Sequence, residues 1–207
     1  MVDDPYRFAA RLYDAIFEPM NHGLRLLGLR MYVPPRGAAV LDVGCGTGSH
    51  LAVYQRFGCR LHGIDHSPGM LAQARARLGH AADLRLGDAR ELPYSDDSFN
   101  LVIAMLALHE MEPEMRSAVL GEMKRVMALD GRMLLIDFHP GRPTPGRGWL
   151  TRVIIWCAEI AAGPRHFRNY RRFISSNGLT PLITHLQLAV ERRRVVDGSL
   201  TLILLSK

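Results

Sequence analysis

The sequence predicts an α/β fold in which helices cover a mostly parallel sheet. Between residues 38 and 138, short apolar segments alternate with segments of helical period, as in strand–helix–strand units. The first of these apolar segments runs into a glycine-rich loop, which is typical of a buried parallel strand that turns into a helix. Near the C-terminus, Asp197-Gly198 separates two further apolar segments and predicts an antiparallel hairpin.

The composition favours one globular domain. The chain has 207 residues, of which 48% are hydrophobic and 22% are charged, and these values are ordinary for a single α/β domain. Residues 1–5 are acidic and lack the parts of a signal peptide, and no run reaches the roughly 18 apolar residues of a membrane span. Three cysteines without a C-x-x-C pair favour reduced thiols. These features predict a cytoplasmic protein.

The positive charge is concentrated near the C-terminus. The net charge is +6, and residues 139–207 hold eleven Lys and Arg against three Asp and Glu. Such a segment suits phosphate head groups, nucleic acid or an acidic substrate. A solvated, arginine-rich face is an equal alternative.

The N-terminal segment from Pro5 to Leu29 predicts a helix, because its apolar residues recur at steps of three and four. Pro19, Gly23 and Gly28 predict breaks that divide it into pieces.

The glycine-rich loop predicts a ligand site. Gly44, Gly46 and Gly48 follow the strand that starts at Ala38, and glycines let a backbone turn sharply and approach a ligand closely. A helix that begins near Thr47 or Ser49 directs its free N–H groups over the loop, where they stabilise an anionic group. The pattern is G-x-G-x-G and differs from the dinucleotide pattern G-x-G-x-x-G, whose third glycine would stand at Ser49.

A second strand, Arg60 to Ile64, ends in Asp65, whose carboxylate is placed to accept hydrogen bonds from ribose hydroxyls. With this strand, the sequence Leu41-Asp42-Val43-Gly44-Cys45-Gly46-Thr47-Gly48 followed by Gly63-Ile64-Asp65 resembles the class I S-adenosylmethionine-dependent methyltransferases, and within them the ubiquinone/menaquinone-biosynthesis-type group. The resemblance implies a Rossmann-like sheet of seven strands and S-adenosyl-L-methionine as the cofactor.

The rest of the core continues the alternation. A helix from Ser67 to Leu78, a strand from Leu84 to Leu86, a strand from Ser98 to Ala104 and a helix from Glu112 to Met127 follow in order. Asp130-Gly131 predicts a turn into a fifth strand, Arg132 to Phe138.

The candidate cofactor residues stand at strand ends, where ligands bind in open parallel sheets. By the resemblance, Asp88 accepts the adenine amino group, and the backbone of Met105 and Leu106 lines the methionine end. Met70 packs on the adenine ring or belongs to the core. The full set is Asp42, Gly44, Cys45, Gly46, Gly48, Asp65, His66, Met70, Gly87, Asp88, Ala89, Met105 and Leu106.

Three side chains are candidate catalytic groups. His109 and His166 are candidate bases, needed only if the acceptor must lose a proton, although a structural role for His109 is the stronger alternative; His139 is a further candidate base. The resemblance implies that an N-terminal helix with the pair Tyr13-Asp14 closes over the cofactor and the acceptor, and an aromatic core is the alternative. No His and Cys pattern has metal-ligand spacing, so no metal is expected.

The segment after the fifth strand is the candidate acceptor side. A Pro- and Gly-rich loop, His139 to Gly148, leads to the apolar segment Trp149 to Ala162. This segment is a lid over an oily substrate, a helix at a membrane surface or a packed helix. A helix from Arg165 to Ser176 follows, and Leu186 to Val196 and Leu200 to Leu205 form the hairpin.

These elements divide one methyltransferase domain, 1–207, into four parts: a helical cap (1–37), a cofactor-binding core (38–138), an insertion and helix on the acceptor side (139–178) and a C-terminal hairpin (179–207). The predicted function is methyl transfer to a small, lipophilic acceptor such as a quinone precursor or a lipid-like head group, and peripheral membrane contact stays open. Two further hypotheses are a nucleic-acid methyltransferase and a protein that binds the cofactor without methyl transfer. No nucleic-acid partner is expected, since the fourth strand is not followed by an Asn/Asp-Pro-Pro-Tyr/Phe pattern.

Overall fold

The computed structural model describes residues 10–207, with side chains from residue 21 onward. Its centre is one seven-stranded sheet, in which the strands of the chain lie side by side in the order third, second, first, fourth, fifth, seventh, sixth. The first five strands are parallel to one another, and the seventh is antiparallel to both the fifth and the sixth. This arrangement confirms the predicted fold class.

The strands are β1 (Ala39–Val43), β2 (Arg60–Asp65), β3 (Ala82–Leu86), β4 (Phe99–Met105), β5 (Met127–Phe138), β6 (Ala189–Val196) and β7 (Leu200–Ser206). The helices are α1 (Ala10–Met31), α2 (Ser49–Gln55), α3 (Pro68–Leu78), α4 (Pro113–Val126), α5 (Arg147–Ala161), α6 (Pro164–Ser175) and α7 (Leu179–Leu186). Short 3₁₀ turns lie at Gly79–Ala81 and Leu108–Glu110.

The predicted breaks in the first helix are wrong. Helix α1 runs without interruption through Pro19, Gly23 and Gly28. At Gly28 an added Cβ would lie only 3.0 Å from Leu134 Cδ2 on β5. This glycine therefore lets the helix approach the sheet closely, and such packing outweighs the roughly 1 kcal/mol by which glycine disfavours a helix.

The turn predicted at Asp130-Gly131 is absorbed into β5. The pairing of β4 with β5 shifts from Phe99–Met127 to Leu101–Arg132, so β5 carries extra residues at this point. Such an irregularity lets a strand accommodate a bend without ending. A further correction concerns the C-terminal part, where residues 179–186 form α7 before the hairpin begins.

The core lies on both faces of the central strands. Strands β1 and β4 and residues 133–138 of β5 are almost completely buried, which explains why their sequences are nearly continuous apolar runs. Because β1 to β5 are parallel to one another, their carboxyl ends lie along the same edge of the sheet. Within residues 10–207, no helix is long and apolar enough to cross a membrane.

Candidate active site

The glycine-rich loop adopts the backbone conformation that its glycines predict. Gly44, Gly46 and Gly48 have φ angles of 73°, 52° and 74°, a region that residues with a side chain rarely occupy. An added Cβ on Gly46 would meet no atom within 4 Å, so this part of the loop faces open space. The loop has room for a ligand against its backbone.

Asp65 fastens this loop to the next strand. Its Oδ2 accepts a hydrogen bond from Gly46 N at 2.8 Å, and its Oδ1 accepts one from Ser67 N at 2.9 Å. The side chain is only 8% exposed. A carboxylate has about four acceptor positions, so Asp65 can hold both backbone groups and still accept hydrogen bonds from ribose hydroxyls. This geometry fits the cofactor that the sequence predicts.

Asp42 lies behind the loop, inside β1. Burial raises the pKa of this carboxyl to about 7, while Arg25 on α1 opposes the shift and Asp65 adds to it. Among the described residues, its Oδ1 has no hydrogen-bond partner. The acid that interrupts the strand's apolar run is therefore a buried group directly behind the loop.

The other predicted cofactor residues near β2 and β3 fall into two groups. Met70 and Cys45 are buried, and burial raises the pKa of the Cys45 thiol well above its usual value. His66 and Asp88 are exposed at the sheet edge, with Gly87 and Ala89 beside Asp88 half-buried.

Asp88 is already engaged by a neighbour. Both of its carboxylate oxygens accept hydrogen bonds from the Arg90 side chain, the shortest at 2.5 Å, and this contact lowers the pKa of Asp88. Gly87 N donates to the backbone oxygen of Asp65 at 3.0 Å. The strand ends that carry Asp65 and Asp88 are therefore directly connected.

At the end of β4, Met105 and Leu106 turn the chain over the edge of the sheet. Leu106 has a φ of 52°, which is unusual for a branched residue, and its N–H donates to Ile136 O at 2.8 Å. Backbone strain of this kind concentrates at functional sites. The two half-buried residues lie beside the glycine loop, since an added Cβ on Gly44 would be 3.0 Å from Ala107 Cβ.

Beyond this turn, the fold assembles a group of three side chains that we call the His–Glu–His cluster: His109, Glu159 on α5 and His166 on α6. His109 Nε2 lies 3.5 Å from Glu159 Oε1, and His166 Nε2 lies 2.9 Å from Glu159 Oε2. The side chains of His109 and Glu159 are buried, and that of His166 is 14% exposed. The two predicted histidines thus meet on one carboxylate.

Asp137, at the end of β5, fixes the orientation of His109. Its Oδ1 lies 2.8 Å from His109 Nδ1, and its Oδ2 accepts hydrogen bonds from the backbone N–H groups of Leu108 and His109. Buried Arg116 donates to Leu108 O and, across to α6, to Asn169 O. The turn that bears His109 is therefore held rigidly against α6.

The cluster's charges are strongly coupled. Burial lowers the pKa of His109, but Asp137 and Glu159 outweigh it and raise the pKa to about 10. Burial likewise raises the pKa of Glu159, yet the two histidines bring it down to about 2. The pKa of His166 is raised as well, because Glu159 and Glu110 outweigh its burial. Without another cation, His109 is protonated at neutral pH and is a hydrogen-bond donor rather than a base.

Aromatic rings surround the cluster. The His109 ring lies 4.4 Å from the Phe138 ring, which meets the Tyr170 ring at 5.3 Å. Trp156 and Phe167, on α5 and α6, meet edge to face at 5.6 Å. These aromatic rings follow the carboxyl ends of β4 and β5 in the chain.

Two of the predicted catalytic residues are placed, and one lies outside the described side chains. Tyr13 belongs to the part of α1 whose side chains the structure does not describe. The third candidate base, His139, is half-buried, and its pKa is lowered mainly by burial and further by Arg152. Sequence reasoning missed Asp137 and Glu159; the available signal was an acid within an otherwise apolar strand or helix.

Comparison with known proteins agrees with this geometry. Residues 40–131 match the family model of a methyltransferase domain. The chain is 38% identical over 112 residues to a phosphatidylethanolamine N-methyltransferase of Cereibacter sphaeroides, covering 51% of this chain and 53% of that protein. It is 33% identical over 130 residues to a demethylmenaquinone methyltransferase of Clavibacter sepedonicus, covering 60% and 51%. The chain thus spans about half the length of these relatives.

A solved structure shows the same fold. The crystal structure of an S-adenosylmethionine-dependent methyltransferase from Aquifex aeolicus superposes with a TM-score of 0.63 and covers 87% of this chain and 88% of its own, at 15% identity. Residues 40–131 thus match the methyltransferase-domain family, as the resemblance implies, and together with the glycine loop and Asp65 this match supports S-adenosylmethionine as the cofactor.

Proposed function

We propose that this chain transfers the methyl group of S-adenosylmethionine to a small, lipophilic acceptor. The observation that carries the proposal is the position of the His–Glu–His cluster. It lies within an aromatic wall, just past the strand ends that form the cofactor edge. Binding pockets for small molecules combine apolar walls with a few polar groups that fix orientation.

The chain's own residues position the reactants. Bound S-adenosylmethionine supplies an activated methyl group. The loop of Gly44, Gly46 and Gly48 and the carboxylate of Asp65 hold the cofactor, while Asp88 shares its carboxylate between Arg90 and the adenine amino group. Met105 and Leu106 line the methionine end. The main tasks of the chain are to align the acceptor and to exclude water.

The acceptor side is closed by α5 and α6. Trp156, Phe167 and Tyr170 give it an apolar surface, and the His–Glu–His cluster gives it polar atoms that orient an acceptor oxygen or nitrogen. The printed names of two relatives concern a lipid and a quinone, and both fit an acceptor with an apolar body and a polar reacting group.

Helix α5 also suits contact with a membrane, because charged side chains lie on its inner side and apolar side chains lie on its outer side, the reverse of an ordinary surface helix. Its inward stripe contains Arg152, Ile155 and Glu159, whereas large apolar side chains are exposed on its outer side. These exposed residues are Trp149, Leu150, Val153, Ile154 and Ile160, together with Trp156, which lies at the border of this side where α5 contacts Phe167 of α6. An apolar face of this size marks an interaction surface.

Basic side chains adjoin this apolar face. Arg147 opens α5, and Arg165 and Arg168 begin α6; all three are exposed. Apolar side chains next to arginines match the interface of an anionic membrane, from which a lipophilic acceptor would be taken.

The test is an acceptor screen with cofactor labelled in its methyl group. Lipid, quinone-precursor and small phenolic acceptors are incubated with the protein, and labelled product is separated by solvent extraction. We expect label in an extractable acceptor, and none with the Gly46→Val variant. Label that enters only RNA or DNA would contradict the proposal in favour of a nucleic-acid substrate. Cofactor binding without transfer to any class, in cell extract as well, would favour a protein that binds the cofactor without methyl transfer.

A further inference from the structure

We propose that the His–Glu–His cluster is a binding site for one divalent transition-metal ion of the zinc type. Its ligands are His109 Nε2, a carboxylate oxygen of Glu159 and a ring nitrogen of His166. The ligand atoms of these three residues all lie within 4.8 Å of one another. The assignment rests on their geometry and does not depend on the identity of the methyl acceptor.

The distances match a site that closes around an ion. Two ligand atoms bound to zinc at about 2.1 Å are at most about 4.2 Å apart. The separations of 3.5 Å and 2.9 Å, one to each oxygen of Glu159, meet this limit. The set as a whole lies within 4.8 Å, so side-chain rotation has to bring the three ligand atoms slightly closer together around one ion.

The orientation of Glu159 is the second observation. Its Oε2 is buried and has no aligned hydrogen-bond partner among the described residues, although it lies 2.9 Å from His166 Nε2. Buried carboxylate oxygens are normally paired by well-directed donors. Two polar atoms that lie close together without being directed at each other are expected when both converge on a common ion.

The surroundings are those of a metal-binding histidine. His109 makes its second ring contact, through Nδ1, with Asp137 Oδ1 at 2.8 Å. A carboxylate in this position fixes the ring and the tautomer, so that Nε2 presents a lone pair to a metal. Glu110 also lies near His166, at 3.9 Å from Nδ1. The three negative charges of Asp137, Glu159 and Glu110 attract a cation.

The ligand types indicate the class of ion. Two imidazoles and one carboxylate favour zinc, iron, cobalt or nickel over magnesium and calcium, which prefer oxygen ligands. Three protein ligands leave at least one coordination position open. An oxygen or nitrogen of the acceptor would be able to occupy that position. His166 reaches the surface and provides the route of entry.

The direct test is metal binding by the full, untagged chain after removal of metals with a chelator. Zn²⁺ is titrated by calorimetry, and Co²⁺ is followed by its visible absorption, so that neither measurement needs the cofactor or turnover. We expect one ion per chain. Glu159→Gln and His166→Gln should each lower the affinity at least tenfold, and Asp137→Asn should lower it by about 10- to 100-fold.

The control is His185→Gln, which removes an exposed histidine on α7 and should leave the affinity unchanged. Circular dichroism without metal shows whether each variant folds, and His166→Gln is the decisive variant because its side chain is partly exposed. Absence of Zn²⁺ and Co²⁺ binding by the folded chain would overturn the proposal, as would equal binding by His166→Gln. Failure of the acceptor screen leaves this result unaffected, so the two proposals fail separately.

Discussion

At the scale of single residues, Asp65 has a double task. It holds Gly46 N and Ser67 N, and we assign the rest of its hydrogen-bonding capacity to the cofactor's ribose. Asp65→Ala should weaken S-adenosylmethionine binding by roughly 1–3 kcal/mol, about 5- to 150-fold, as measured by calorimetry. The melting temperature should also fall, because two backbone donors lose their acceptor.

Asp83→Ala is the matched control for this prediction. Asp83 lies on the neighbouring strand β3, is exposed and pairs with Arg85. Asp83→Ala should change neither the affinity for S-adenosylmethionine nor the melting temperature appreciably. Unaltered cofactor affinity in folded Asp65→Ala would mean that Asp65 serves the loop alone.

A substitution at Gly46 tests whether the glycine-rich loop binds the cofactor. With φ at 52°, a β-branched side chain is strained there and fills the open space beside the backbone. We expect Gly46→Val to lose measurable cofactor binding in calorimetry.

Gly79→Val controls for the strain itself. Gly79 has a φ of 54°, and an added Cβ would meet no atom within 4 Å, but it is not part of the loop and lies at the C-terminal end of α3. Both variants should lose about 1–3 kcal/mol of stability, and only Gly46→Val should lose binding. If Gly46→Val and Gly79→Val both lose cofactor binding, the loss is caused by lower stability and not by the loop.

Asp42 predicts a pH dependence of stability. Its pKa is about 7 in the folded protein against about 3.9 in an unfolded chain, so the folded state holds the proton more tightly. This contribution is complete below about pH 4 and is lost as the pH rises to about 7. The loss amounts to at most about 4 kcal/mol, at 1.36 kcal/mol per pKa unit.

The measurement compares urea unfolding of the natural chain and of Asp42→Asn between pH 5 and pH 8. The asparagine keeps the shape of the side chain and cannot ionise. As the pH rises to about 7, the free energy of unfolding of the natural chain should fall relative to that of Asp42→Asn. Above about pH 7 the difference between the two free energies should stay constant. A difference independent of pH would show that Arg25 keeps Asp42 ionised throughout this range.

At the scale of elements, helix α5 has a buried face and an exposed face. One substitution on each face distinguishes an effect on packing from an effect on acceptor binding. Ile155 is buried and belongs to the core, whereas Trp156 is 51% exposed. Ile155→Asp should therefore cost at least about 3 kcal/mol of stability and impair all functions together. It tests packing and cannot serve as a test of the acceptor wall.

Trp156→Ala is the informative change. We expect a stability loss under about 1 kcal/mol, an unaltered cofactor affinity and a raised KM for the acceptor. Calorimetry, thermal melting and acceptor kinetics on the same preparation give the three values. If KM stays constant while stability falls, Trp156 is only a packing residue for Phe167.

At the scale of the whole molecule, the apolar face of α5 should direct the protein to anionic membranes. We expect co-sedimentation with phosphatidylglycerol vesicles that weakens with added salt, and little binding to phosphatidylcholine. Ile154→Asp should lower vesicle affinity by about tenfold or more, since burying one such side chain contributes about 1.5–3 kcal/mol.

Leu129→Asp is the control, because Leu129 is 76% exposed on β5 at the opposite edge of the sheet. It should bind vesicles as the natural chain does. Equal loss in both variants would contradict a specific face, and concentration-dependent dimerisation without vesicle binding would identify a second copy of the chain as the occupant.

The sequence alone determined the cofactor half of the molecule. A strand that turns through Gly44, Gly46 and Gly48 into a helix is a local signal, and parallel pairing brings Asp65 to the same edge because strand ends align. The breaks predicted in α1 failed for the opposite reason: whether Gly28 ends a helix depends on β5, which packs against it and is distant in sequence.

Only the tertiary structure decided how the His–Glu–His cluster and the two faces of α5 are arranged. His109, Asp137, Glu159 and His166 stand on four separate elements, and no spacing in the sequence connects them. The apolar residues of α5 occur nearly all round the helix, so periodicity could not choose its inner face. The polar side chains determine which face is inside, because Arg152 bonds to His139 O and Glu159 lies against His109. The large apolar side chains consequently face outward.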